Sequence, residues 1–164
     1  IMKHLISLTL IVFTLILNAQ PDISLTLEEI KVLDNTKWTG ELMYVNYGDG
    51  KEVTLETRMQ IDIEKNKIVM STQYVHEPSA NSKSTIKLKK NGTYFGNEKI
   101  IEKSISEDGT LTLVTTYEGR DNNKPATIYN TFIFDEQHFS VTKEVLFKDA
   151  NEKFVRNKST YTKL

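Results

Sequence analysis

The chain has no cysteine. That excludes disulfides, thiolate metal sites, cysteine nucleophiles and a lipid-modified N-terminal cysteine. It also lacks a long run of one charge. Its 21 basic and 22 acidic residues are scattered and leave a formal net charge of -1, so nothing points to nucleic acid. With 7 glycines and 3 prolines, it carries no glycine-rich phosphate loop, no nucleophile elbow and no Ser/His/Asp set. No catalytic constellation and no cofactor signature is present. Two histidines past the N-terminal segment, His76 and His138, lie on distant strands and face opposite ways, which makes no metal-ligand set. There is no internal repeat and no linker.

Residues 1–19 have the layout of a secretory signal peptide. Met2-Lys3-His4 is a short basic start, Leu5 to Leu17 an apolar run, and Asn18-Ala19-Gln20 the cleavage region, with the cut expected after Ala19. The apolar run stops short of the roughly 20 residues that span a bilayer. The sequence therefore predicts an exported protein, periplasmic or extracellular, whose mature chain has no membrane span.

What remains has the composition of one globular domain, 38% hydrophobic and 26% charged. Residues 20–36 read as an arm and a short helix. Leu27, Ile30 and Leu33 share a helical face, Thr26 is placed as N-cap, and Glu28 and Glu29 follow in the first turn. A piece this short does not persist alone, so it is expected to be a lid or plug on the fold that follows. Residues 37–164 alternate with a two-residue period. Val53, Leu55, Thr57, Met59, Ile61 and Ile63 interleave with Glu52, Thr54, Glu56, Arg58, Gln60 and Asp62, the mark of an antiparallel sheet with one wet face. Breaks fall at Glu77–Ser82 and Gly119–Pro125. Strand-length segments with short connections predict an all-β, antiparallel up-and-down β-barrel of about 8–10 strands, because closure removes the edge strands.

Trp38-Thr39-Gly40 stands where helical periodicity ends and alternation begins, and Trp38 is the only tryptophan. A helical turn leading to tryptophan and glycine on the first strand, then a meander, resembles the lipocalin-like (calycin) barrels. The motif shared is Trp38 and Gly40 alone, in the order Trp-x-Gly rather than that family's Gly-x-Trp. The resemblance implies a barrel with a cavity, Trp38 at its base, and Arg156 of the last strand capping the indole. It implies a small apolar or amphipathic molecule as partner and does not specify which.

Candidate ligand-binding residues follow from inward positions in the alternation. His76 shares a strand face with Met70 and Tyr74, at the rim. Tyr74, Tyr117, Asn130 and Tyr161 place hydroxyls and an amide among apolar neighbours, a mixture that suits a pocket and a filled core equally. Lys143 interrupts the row Phe139, Val141, Val145, Phe147. Either its ammonium lies inside as an anchor for an anionic head group, or the strand bulges there and Lys143 is exposed. Two functions stand open: a barrel that binds a small molecule, and a side-chain-filled barrel that acts through its surface or loops.

Overall fold

The period-two pattern of Glu52–Glu64 sorts its side chains as alternation requires: Thr57, Met59 and Ile61 are buried, while Glu56 and Arg58 are exposed. The same rule builds the whole wall. In a computed structural model that describes residues 23–164, ten strands run β1 (Thr36–Val45), β2 (Glu52–Glu64), β3 (Lys67–Tyr74), β4 (Ser82–Lys89), β5 (Tyr94–Phe95), β6 (Glu98–Ile105), β7 (Leu111–Asp121), β8 (Lys124–Phe134), β9 (His138–Phe147) and β10 (Phe154–Lys163). Each pairs antiparallel with its sequence neighbours, and β1 meets β10 with Trp38 opposite Lys163 and Tyr44 opposite Asn157. The result is a closed up-and-down barrel. The expected signal segment, residues 1–19, lies outside the described residues.

The base of the barrel is filled. Trp38 is 1% exposed and packs with Met59, Ile61, Leu111, Leu113, Phe134, Phe139 and Tyr161. Its indole N–H donates to the Thr36 hydroxyl at 2.7 Å, and that hydroxyl donates to the Leu33 carbonyl at 2.6 Å. This chain ties the indole to the N-terminal arm, so lid and tryptophan close the same end.

The arm is not the helix that its spacing predicts. Turns lead into a single 3-10 turn over Lys31–Leu33. Three or four residues cannot offset the cost of helix nucleation, and Ile30 and Val32 are stiff at χ1. The capping interaction does form, with the Glu29 N–H on the Thr26 hydroxyl and the Thr26 N–H on Glu29 Oε2. Tertiary contacts hold the segment instead. Leu25, Ile30 and Leu33 are buried in the base, the Leu25 N–H donates to the Gly92 carbonyl, and the Lys103 ammonium grips Glu29 Oε1 at 2.6 Å and the Ser24 carbonyl.

Gly40 lets β1 and β10 approach. A Cβ there would stand 1.9 Å from the Thr160 carbonyl oxygen, which is backbone and cannot swing away. Gly40→Ala is therefore expected to lower stability by about 1–3 kcal/mol or more, the scale of overpacking a filled site. Urea unfolding checks it, and an unchanged midpoint would show that the seam yields freely.

Two breaks in the alternation resolve differently. The one over Glu77–Ser82 is a connection with a 3-10 turn at Pro78–Ala80. The one over Gly119–Pro125 is no loop: β7 runs on to Asp121, β8 starts at Lys124, and Asn122 and Asn123 turn the chain at φ 45° and 61°. Asparagine tolerates the left-handed region that a two-residue hairpin requires.

β5 is the weak course of the wall. It offers only Tyr94 and Phe95, paired to Lys89 and Leu88 on one side and to Lys99 and Glu98 on the other. Beyond its turn at Gly96, Ser82–Ile86 of β4 and Tyr117–Asp121 of β7 have no strand between them. A slot opens there, on the half of the barrel away from Trp38.

Candidate functional site

Extending the inward row of β7 from Leu111 through Thr115 and Tyr117 brings Asp121 to the mouth, the end opposite Trp38. Its carboxylate is 5% exposed and draws in three other elements. Oδ2 accepts from the Lys143 ammonium of β9 at 2.6 Å. Oδ1 accepts from the Tyr47 hydroxyl of the β1–β2 connection at 2.6 Å, and Arg156 Nε of β10 stands 3.6 Å from it. The Arg156 guanidinium lies over the Tyr47 ring, 4.2 Å from its centre, and donates to the Val45 carbonyl. Burial alone would raise the Asp121 pKa, but the hydrogen bonds from Lys143 and Tyr47 and the charges of Lys143 and Arg156 hold it below the usual value. Burial, with the hydrogen bond to Asp121 and its charge, pushes the Tyr47 phenol up to about 12, against a lowering by Arg156. At the mouth one carboxylate thus joins two cations and a phenol.

The slot has a different chemistry. Glu98 opens β6 on the same face as Ile100, which is opposite the inward Thr115. Its Oε2 accepts from the Thr115 hydroxyl and from the Asn130 amide at 2.9 Å. Phe95 and Phe132 meet edge to face with centres 5.0 Å apart. With Tyr117, Ile86 and Gly96, these residues line an open cavity of about 390 Å³. Burial first, then the charges of Glu98 and Asp121, raise the Tyr117 pKa.

Two other hollows set the scale. The enclosed apolar space at the base, between Leu25, Ile61, Phe95 and Phe139, is about 20 Å³. A larger groove of about 730 Å³ lies across the wall of β1, β2, β8, β9 and β10, bordered by outward residues such as Thr39, Glu41, Glu56, His138 and Thr160. Both hollows are open; in the groove the half-buried Asp135 already faces His138 at 3.2 Å, whereas among the described residues no cation reaches Glu98 at the slot, and that difference favours the slot.

The residues singled out from sequence fall into separate places. Tyr117 lines the slot, and Asn130 is linked to it by its hydrogen bond to Glu98. Lys143 stands opposite Asn130 on an inward face but is 24% exposed and bound to Asp121. The irregularity in this region is on β10, between Val155 and Asn157. An ammonium already paired to an internal carboxylate is not a free anchor for a fatty acid. Tyr74 and Tyr161 form another layer with Thr57, whose hydroxyl donates to Tyr161 Oη at 3.4 Å; burial, then the Tyr161 and Glu77 charges, raises the Tyr74 pKa. His76 borders only a small hollow of about 10 Å³ beside Tyr74 and Glu77, not a ligand-sized cavity. It follows the end of β3, its side chain is 77% exposed, and its nearest charged neighbour is Glu56 at 3.7 Å. Arg156 does not cap Trp38: the register of β1 against β10 places it at the mouth, beside Tyr44 and Tyr47, with the indole at the base. Among the described residues no group of three or more histidine, aspartate or glutamate side chains is placed to hold a metal ion.

Sequence alternation missed Glu98, Asp121 and Tyr47. Asp121 was marked by parity, since it continues the odd-numbered row of β7 past Tyr117. Glu98 was marked by its spacing from Ile100.

No family model and no curated protein matches the chain. Among solved structures, the crystal structure of Rv2717c from M. tuberculosis is similar, with a TM-score of 0.58, 10% identity, and coverage of 84% of this chain and 96% of that one. A likeness at this identity shows the barrel fold alone.

Proposed function

We propose that this chain is a lipocalin-like binding barrel that takes a small amphipathic molecule through the slot in its wall. The observation that carries the proposal is the cavity of about 390 Å³ bordered by Phe95, Tyr117 and Phe132 with the Glu98 carboxylate at its edge. Small-molecule sites generally span about 300–1,000 Å³ and combine apolar faces with a few fixed polar groups. The hollow at the base is too small for anything beyond about one water. The mouth is bridged by Asp121. The proposal therefore places access at the slot, from the side of the barrel. Export to the periplasm or beyond belongs to the same proposal and rests on residues 1–19 alone.

A role as a surface interaction module has one observation in its favour, the outer groove of about 730 Å³. Nuclear magnetic resonance separates the two. Titration with 2-phenylethanol is expected to shift the signals of Phe95, Glu98, Tyr117 and Phe132 along a saturable curve, with a Kd on the order of 1 mM for so small a probe. Shifts confined to His138, Thr160 and their neighbours, or none at all, would remove the slot as a binding site.

A further inference from the structure

The slot holds a charge that the protein leaves without a counter-ion. Glu98 Oε2 takes the hydrogen bonds from Thr115 and Asn130, and no donor among the described residues reaches Oε1. No lysine, arginine or histidine nitrogen among them lies within 4.0 Å of this carboxylate. Lys143, opposite Asn130 on β9, is bound to Asp121 instead. No buried side-chain polar atom of the described residues lacks a partner. Oε1 is therefore not sealed in the wall, and Glu98 borders the open cavity together with Phe95, Tyr117 and Phe132.

We propose that the molecule taken up by the slot is a small organic ammonium with an apolar body. This deepens the binding reading above and depends on it. The free carboxylate oxygen would accept from the ammonium, or balance its charge when no N–H is present. The rings of Phe95, Tyr117 and Phe132 would receive the apolar part and, through their π faces, the cation itself. A cation is attracted to this carboxylate, a neutral molecule is not, and an anion is repelled. The Thr115 and Asn130 bonds fix the rotamer of Glu98, so the acceptor is held before the ligand arrives.

The test uses three probes of similar size: 2-phenylethylammonium, 2-phenylethanol and 3-phenylpropanoate, titrated into the protein at low salt and followed by calorimetry and by the Tyr117 and Phe132 resonances. The ammonium is expected to bind about tenfold or more tighter than the alcohol, with the carboxylate weakest. Glu98→Gln keeps an oxygen for Thr115 and Asn130 but removes the charge. In that variant the ammonium should fall to the affinity of the alcohol, whose own binding should not change. Equal wild-type affinities for ammonium and alcohol at the slot would overturn the cation proposal while leaving the slot as a binding site. So would tighter ammonium binding that maps to the outer groove beside Glu41 and Glu56. If none of the probes binds, the slot itself is lost and the proposal with it. Should Glu98→Gln fail to fold by circular dichroism, the wild-type comparison decides alone.

Discussion

Trp38→Ala is expected to destabilise the protein by about 3–5 kcal/mol, the cost of emptying a large aromatic site that the surroundings cannot refill. The indole is 1% exposed, lies 6.0 Å from the Phe139 ring, and anchors the Thr36–Leu33 hydrogen-bond chain. Alanine removes the packing and also the donor to the Thr36 hydroxyl, which loosens the arm over the base. Chemical denaturation measures the loss. Native emission of the wild type should be blue-shifted and should move to the red on unfolding. A native spectrum of exposed indole, or a loss under about 1 kcal/mol, would remove Trp38 from its place at the centre of the base.

Asp121→Ala is expected to cost about 3 kcal/mol, at the lower end of what breaking a buried ion pair costs. Lys143, 24% exposed, and Arg156, 19% exposed, keep some water, which limits the penalty. The Tyr47 hydroxyl loses its acceptor as well. The effect depends on pH with a definite sign. The folded pKa of Asp121 is depressed, so its contribution is complete above the unfolded value and is lost as the pH falls through the folded one. Wild type should therefore lose this increment in acid below about pH 4, and the variant should have a correspondingly shallower acid slope. Tyr47 acts in the other direction: its raised pKa makes its contribution complete below about pH 10 and lost as the pH rises towards about 12. Parallel stability curves for wild type and Asp121→Ala between neutral pH and pH 2 would refute the role given to this carboxylate.

The barrel was legible in the sequence because alternation is a local signal. A strand with one face in the core must repeat every two residues, and β2 does so over its whole length. The N-terminal helix was not, since its spacing fits a helix but its stability is decided by contacts with Gly92 and Lys103, far along the chain. The asparagine pair 122–123 was taken into a loop because a polar cluster beside proline resembles one; only the left-handed backbone at both residues shows that the strands continue. The site was less legible still. Lys143 stands out within an apolar row, but whether it is a free anchor depends on Asp121, and their meeting is set by barrel curvature. Glu98 is one more carboxylate until the end of β5 leaves a slot beside it.

The seam between β1 and β10 joins the first strand to the last. Neighbouring strands form hairpins from nearby residues, but this pairing must close the loop that contains all the others. Non-local closures of this kind slow folding, because the chain loses its entropy before the contacts form. Until Phe154–Lys163 is in place, β1 and β9 each present an open edge, and the partly folded chain is at its most prone to associate. Trp38 pairs with Lys163 at that seam. Its fluorescence therefore responds to the sealing of the wall as well as to its packing against Met59 in the β1–β2 hairpin.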